Sequence, residues 1–189
     1  DYAKYGLVEA VLKSRICAIF VMPIGLRRMT QSGWGKLLSR GGLPKFLGDV
    51  LPKLSAMSVD GHPVIPVATL GRLALFAHSA GANGVARLLN RGEVPCDRIG
   101  LLDALYPDEP AFTNWTSRST SNVVLAAFTR KYAGLFGTLA KNVPAEQRAY
   151  FPTTTLNHNK LVALDLPGLL TLLRKHWSEG ATEGRIAHN

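Results

Sequence analysis

The chain has few cysteines, no long apolar run and few of the usual metal or phosphate motifs, and each shortage excludes a class of protein. Two cysteines in 189 residues cannot form the disulfide framework of small secreted domains, although spacing alone leaves open one bridge between Cys17 and Cys96. No apolar segment approaches the roughly 18–20 residues of a transmembrane helix, so we expect no membrane span. Scattered cysteines without a His-x-x-x-His pair predict no bound metal, and the lack of a glycine-rich phosphate loop predicts no cofactor.

Acidic residues are also scarce relative to basic ones. The chain has 22 Lys and Arg against 13 Asp and Glu, which gives a formal net charge of +9. Such an excess favours anionic partners by long-range attraction. The basic residues form only isolated pairs, however, and no aromatic and basic motif of an RNA-binding module accompanies them. The pairs are Arg27-Arg28, Arg130-Lys131 and Arg174-Lys175. We therefore predict no specific nucleic-acid binding.

Unbroken apolar runs alternate with amphipathic segments along the chain, which predicts one domain over residues 1–180 and a tail at 181–189. The predicted helices are 2–14, 43–57, 82–91, 133–143 and 166–180, and the predicted strands are 16–23, 72–79, 98–106 and 123–130, with a loop at 107–122. Unbroken apolar strands are typical of parallel sheets that are covered on both faces. The pattern therefore predicts an α/β fold with a mainly parallel sheet flanked by helices.

The stretch "LALFAHSAGANGVARLL" places Ser79 between an apolar strand and a helix. A strand that enters a helix at once must turn sharply, and bulky side chains two residues from the turn would collide. Ala77, Ala80 and Gly81 are small enough. Such a turn exposes the serine Oγ, and the following amide, that of Ala80, points into the same space as an oxyanion donor. The alternative interpretation is that Ser79 only caps the helix.

A serine hydroxyl becomes a useful nucleophile when a histidine takes its proton and a third group orients that histidine. His158, in "TTLNHNKLV", follows the last predicted strand and is the candidate base, with a solvated loop histidine as the alternative. Asp103 ends the run "IGLLD" and is the candidate acid, because a carboxylate that finishes an aliphatic strand is costly unless it is paired. Asp103 as a turn cap is the competing interpretation, and Asp108 and Glu109 are the nearest alternative acids.

The segments "LALFAHSAGANG", "IGLLDALY" and "LNHNKLV", in that order, resemble the α/β-hydrolase superfamily, and the similarity covers most of residues 1–180. The resemblance implies that Ser79 is the nucleophile, His158 the general base and Asp103 the orienting acid. It also implies that the Ala80 amide supplies one oxyanion donor. The acid would follow the strand after the nucleophile strand, a less usual position within the superfamily.

Two positions depart from the pattern of the superfamily. Ala77 replaces the first glycine of the motif, and the loop that should supply the second oxyanion donor would precede residue 1. Either the N-terminal strands are missing, or they lie on a separate piece, or the loop at "VMPIG", with Gly25 as its last residue, supplies the second oxyanion donor. We favour a missing N-terminal portion, so that the domain is truncated and not minimal, because a sheet that began at 16–23 would expose a core strand as its edge.

These features predict a serine hydrolase of the carboxylesterase type that cleaves a small-molecule ester, thioester or amide through an acyl-enzyme. Trp34 and Trp115 are candidate residues of the pocket rim, since loops after strands line such sites, and core packing is the alternative for both. A non-catalytic module of the same fold that binds a ligand or a partner is the alternative function. Acyl transfer to an acceptor other than water is a third option.

Overall fold

The computed structural model describes residues 5–22, 34–59, 62–63, 71–105, 109–150, 155, 157–158 and 160–183. The helices and strands are, in chain order, α1 (Leu7–Ser14), α2 (Gly42–Ala56), β1 (Ser58–Val59), β2 (His62–Pro63), β3 (Ala74–His78), α3 (Gly81–Arg91), β4 (Arg98–Leu102), α4 (Glu109–Thr116), β5 (Val123–Ala127), α5 (Ala133–Asn142), β6 (Arg148–Tyr150) and α6 (Lys160–Glu183). Short 3₁₀ turns lie at Gly35–Leu38, Arg130–Tyr132 and Ala145–Gln147.

Four strands form one parallel sheet in the order β3-β4-β5-β6, and β1 and β2 form a separate antiparallel pair. The register aligns the carboxyl ends of the first three strands, because His78 pairs with Leu102 and Leu102 pairs with Ala127. The chain therefore leaves β3, β4 and β5 at one edge of the sheet. The predicted α/β class with a parallel sheet flanked by helices is confirmed.

The two central strands explain why their sequences are unbroken apolar runs. Every residue of β4 and β5 is buried. Successive side chains point to opposite faces, so that Leu101 packs in a cluster with α3, α4 and α5, whereas Leu102 packs with α1 and α6. Gly100 leaves room for the ring of Phe76, which a Cβ atom at that position would overlap.

The predicted strand at 16–23 is wrong. Residues 16–22 form neither helix nor strand, and three of their large apolar side chains are 39 to 48% exposed. An extended segment needs a hydrogen-bonded neighbour to become a strand, and none of the described strands pairs with it. Cys17 within this segment is exposed, and both it and Cys96 are free thiols, so the bridge that the spacing left open does not form.

The predicted loop at 107–122 is also wrong in part, because α4 occupies Glu109–Thr116. Two large apolar side chains, Phe112 and Trp115, face the core from this short helix, and both are buried. Threonine and asparagine between them have weak helix propensity. Tertiary packing of the two aromatic residues outweighs that preference and stabilises the helix.

The last helix is longer than predicted, running from Lys160 to Glu183 with Pro167 inside it. A proline inside a helix removes one backbone hydrogen bond, whereas a proline in the first turn costs none. Pro167 therefore predicts a helix that starts close to it. Burial of Leu161 and Leu169 on the same side of the sheet as α1 offsets that loss. The predicted tail therefore begins within the helix, and residues 184–189 lie outside the described part of the chain. Among the described helices, none has the length and apolar character to cross a membrane.

Candidate functional site

Ser79 and Asp103 each lie directly after a strand of the parallel sheet. The ladder continues by one bond at each, since the Ser79 N–H donates to Leu102 O at 3.2 Å and the Asp103 N–H donates to Ala127 O at 3.0 Å. Both residues then adopt left-handed backbone angles, with φ of 55° and 45°. A non-glycine residue pays about 1–2 kcal/mol for this conformation, so neighbouring packing must hold both turns in place.

Small residues surround the turn from β3 into α3, as the sequence predicts. A Cβ atom on Gly81 would lie 3.5 Å from the Cβ of Ala77, which is an ordinary van der Waals contact. Ala77 itself is buried. Ala80 is exposed and directly precedes the first residue of α3. Amides at a helix start lack an intrahelical acceptor and carry the positive end of the helix dipole.

The Asp103 carboxylate is fully buried and accepts two hydrogen bonds. Thr129 N–H donates to Oδ1 at 2.6 Å, and His158 Nδ1 donates to Oδ2 at 3.0 Å. When Nδ1 carries the proton, Nε2 of the neutral imidazole is the atom that can accept another. The side chain of His158 is 33% exposed. The pair can therefore take up a proton at Nε2 while Asp103 holds the ring and stabilises its positive charge.

His78 supports this arrangement, although sequence reasoning assigned it no role. Its Nε2 donates to the backbone oxygen of His158 at 3.0 Å, and the two imidazole rings lie 4.5 Å apart between centroids. Burial lowers the pKa of His78, which keeps the ring neutral at neutral pH. Since His78 directly precedes Ser79, these contacts anchor the loop of His158 to the end of β3.

A cavity of about 520 Å³ opens beside His158. The loop after β5 forms one wall, and the segment that contains His158 forms the other. The lining residues are Thr129, Arg130, Lys131, Tyr132, Thr155, Asn157 and His158. The Tyr132 ring lies 5.9 Å from the His158 ring between centroids. A small molecule in this cavity would contact the imidazole directly.

The two candidate rim tryptophans do not line this cavity. The indole of Trp34 lies against α3, where a Cβ atom on Gly84 would come within 2.6 Å of it. Trp115 is buried in the core at 4% exposure and lines a separate cavity of about 250 Å³ together with Cys96. Both tryptophans thus take the packing role that was the alternative. Gly25, the candidate second oxyanion donor, lies outside the described residues.

The alternative acids are placed differently from Asp103. Glu109 begins α4, and its carboxylate accepts hydrogen bonds from the Thr113 hydroxyl and the Asn142 amide. Asp108 lies outside the described residues. Sequence reasoning assigns no role to Asp165 on α6, because the expected chain order places the acid before the histidine. Burial raises the pKa of Asp165, and the negative charge of Asp103 raises it further.

The structure thus joins Asp103 to His158 and places Ser79 at the same sheet edge. Within the described ranges, no group of three or more His, Cys, Asp or Glu side chains could hold a metal ion. Comparisons of this chain with protein-family models, with curated proteins and with solved structures find no match. A function must therefore be inferred from the chemistry of these side chains.

Proposed function

We propose that this chain is a serine hydrolase with an α/β-hydrolase-like fold that cleaves a small carboxylic ester through an acyl-enzyme. One observation carries the proposal: the buried Asp103 carboxylate binds Nδ1 of His158 at the sheet edge where Ser79 turns into α3. Burying a carboxylate costs several kcal/mol unless hydrogen bonds compensate. A cost of this size for orienting one loop histidine is expected where the histidine has a chemical task.

In the first half of the proposed reaction, Ser79 Oγ attacks the ester carbonyl carbon and His158 Nε2 takes the hydroxyl proton. Asp103 keeps the Nδ1 proton in place and stabilises the imidazolium that forms. The tetrahedral intermediate then collapses, the bond to the alcohol oxygen breaks, and His158 returns its proton to the departing alcohol. The acyl group remains on Ser79.

In the second half, water attacks the acyl-enzyme while His158 Nε2 accepts one of its protons. Collapse of this second intermediate releases the carboxylic acid and returns the proton to Ser79 Oγ. The Ala80 amide at the start of α3 donates to the oxyanion in both steps. Preorganised donors of this kind contribute about 3–4 kcal/mol each to the transition state.

The strand register supports the assignment of the acid. Ser79 follows β3 and Asp103 follows the neighbouring β4, so both side chains start from the same edge of the sheet. Ligands of open α/β sheets bind at the carboxyl ends of the strands. The loop after β5 offers no acid, because residues 110–145 contain neither Asp nor Glu.

The test is hydrolysis of 4-nitrophenyl acetate and butyrate by the chain and by Ser79→Ala at several pH values. We expect the variant to lose at least about 10³-fold in kcat/KM. The rate of the unmodified chain should fall toward acidic pH, because the proposed base must be unprotonated to accept the serine proton. Ser117→Ala, an exposed serine beyond α4, is the matched control.

A fluorophosphonate probe gives a second readout, since it reacts only with an activated serine. Labelling that Ser79→Ala abolishes and Ser117→Ala retains would support the proposal. Equal background hydrolysis by all three proteins, without labelling, would contradict it and leave a ligand-binding or partner-binding module of this fold. Faster ester loss in the presence of an added alcohol or amine would indicate acyl transfer, which the same residues could perform.

A further inference from the structure

The cavity beside His158 carries an unbalanced positive charge. Arg130 and Lys131 both line it from the 3₁₀ turn after β5, and both side chains are exposed. In the described part of the chain, neither of them forms an ion pair with a carboxylate. The Lys131 ammonium lies 5.3 Å from the centroid of the Tyr132 ring, a cation–π contact that holds it beside the cavity.

The other described lining residues add hydrogen-bonding groups and no negative charge. Thr129, Thr155 and Asn157 are neutral and polar, and Tyr132 and His158 supply aromatic surface. A volume of about 520 Å³ suits a small molecule. An anionic group in this cavity would meet two cations and no carboxylate of the described lining, whereas a cationic group would meet like charges.

We propose that this cavity selects anionic esters, in which an ionised carboxylate on the substrate binds Arg130 and Lys131 while the ester carbonyl lies near His158. This substrate class rests on the proposed hydrolase function. The guanidinium can form two parallel hydrogen bonds with a carboxylate, and the ammonium contributes a mobile point charge. Because both cations are exposed, each gives a modest gain in binding, and the preference depends on ionic strength.

The kinetic test compares two esters that differ in one group. Mono-4-nitrophenyl glutarate carries a carboxylate where 4-nitrophenyl pentanoate carries a methyl group. After subtraction of the spontaneous rates, we expect the glutarate to have the higher kcat/KM, mainly through a lower KM. In Arg130→Gln/Lys131→Gln the ratio of the two kcat/KM values should fall about 10-fold, and added 0.5 M NaCl should lower the ratio for the unmodified chain.

A double variant at exposed cations outside the cavity lining is the matched control. Arg91→Gln/Lys141→Gln removes the same two charges from α3 and α5, where neither residue lines the cavity, and should retain the ratio. A second pair of esters, 4-acetoxybenzoate and phenyl acetate, places the carboxylate on the alcohol side. The pair of esters that shows the preference identifies whether the cations bind a carboxylate on the acyl side or on the alcohol side of the substrate. Equal ratios in all proteins with both pairs would overturn the proposal.

Binding to Ser79→Ala separates this inference from the hydrolase function itself. Calorimetry with mono-4-nitrophenyl glutarate measures affinity without turnover. If no ester is hydrolysed but the glutarate binds, and binding weakens about 10-fold on addition of Arg130→Gln/Lys131→Gln, then the hydrolase function fails and the anion site stands. If hydrolysis depends on Ser79, but neither the affinity for the glutarate nor the ratio of the two kcat/KM values changes in Arg130→Gln/Lys131→Gln, then the proposed anion-binding role of the cavity is wrong and the hydrolase function stands.

Discussion

The carboxyl and amino ends of the parallel strands form two edges of the sheet, and each edge holds a serine or cysteine beside a buried charged side chain. The hydrogen-bond partners of these side chains differ between the two edges. At the carboxyl edge, the Asp103 carboxylate binds the His158 imidazole close to the turn at Ser79. At the amino edge, the Cys96 thiol donates to the backbone oxygen of Arg98, and burial raises the pKa of Cys96 to about 12. The Arg98 guanidinium donates to the backbone oxygens of Asp97 and Ser121.

The partners of these groups account for the difference. At the amino edge, the Cys96 thiol binds a backbone carbonyl and stays protonated, while the Arg98 guanidinium binds backbone carbonyls and pairs with the Asp97 carboxylate at 3.4 Å, which ties adjacent chain segments together. At the carboxyl edge, the Asp103 carboxylate binds an imidazole, and the bond at Nδ1 leaves Nε2 of His158 as the atom that can accept a proton. A reactive residue type is therefore insufficient. In the proposed mechanism, an oriented proton acceptor near the hydroxyl is what distinguishes Ser79 from Cys96.

The largest expected effect comes from one of the two aspartates that flank β4. Asp103→Asn keeps the acceptor for Thr129 N–H but presents an amide to Nδ1, which favours the wrong imidazole tautomer. We expect kcat for 4-nitrophenyl butyrate to fall about 10³- to 10⁴-fold. Asp97→Asn, at the opposite end of the same strand, is the matched control and should retain the rate. Equal decreases of kcat in the two variants would contradict the proposed difference between the two edges.

The second prediction concerns the reactivity of the amino-edge thiol. With a pKa of about 12, Cys96 is thiolate to only about one part in 10⁴ at pH 8, against roughly one part in 4 for an ordinary exposed thiol. Iodoacetamide should therefore alkylate Cys17 at least about 10³-fold faster than Cys96, as measured by peptide mass spectrometry. In Cys17→Ser, alkylation should become fast only after denaturation. Rapid native labelling of Cys96 would contradict the assigned burial.

A third, smaller effect separates two glycines of α3. Alanine gains up to about 1 kcal/mol over glycine in a helix, so steric fit decides the sign of each substitution. A Cβ atom at Gly81 makes an ordinary 3.5 Å contact with Ala77, whereas one at Gly84 lies 2.6 Å from the Trp34 indole. In urea denaturation, the unfolding free energy of Gly81→Ala should lie within about 0.5 kcal/mol of the value for the unmodified chain. That of Gly84→Ala should be lower by about 1–2 kcal/mol. A shift of tryptophan emission only in Gly84→Ala would confirm that Trp34 has moved.

The smallest effect is a pH dependence of stability that arises from His78. Its folded-state pKa is lowered by burial, so the unfolded chain binds more protons as the pH falls below about 6.5. Stability from this group is therefore present above its unfolded pKa and is lost as the pH falls toward its folded pKa. The decrease in Tm between pH 7.5 and 5.5 should be smaller in His78→Gln than in the unmodified chain. His176→Gln on α6 controls for removal of a histidine, and an identical decrease in all three proteins would contradict the assignment.

The elements that sequence predicted correctly are those whose local pattern matches their packing. The buried strands β4 and β5 are unbroken apolar runs because both of their faces are covered. The predicted helix at 43–57 corresponds to α2 despite Pro52. The elements that it missed depend on distant partners, as for α4, whose two aromatic residues pack into the core. Residues 16–22 show the converse, since an apolar run without a neighbouring strand does not form one.

The candidate site divides in the same way. The small residues around Ser79 are a local requirement of a sharp turn, and sequence could indicate them. The sequence order could also suggest Asp103 and His158, but not that they touch, because 55 residues separate them along the chain. His78 and Tyr132 escaped notice because nothing in their immediate neighbours marks them as contacts of the His158 ring.

By itself, the sequence determined the alternation of strands and helices, the place of the turn at Ser79 and the excess of positive charge. Only the tertiary structure decided that Asp103 is the acid that meets His158, that His78 anchors the histidine loop, and that Arg130 and Lys131 share a cavity with it. The physical reason is the register of parallel strands. It aligns chain segments that are far apart in sequence at one sheet edge, and the contacts made there depend on packing that no local pattern records.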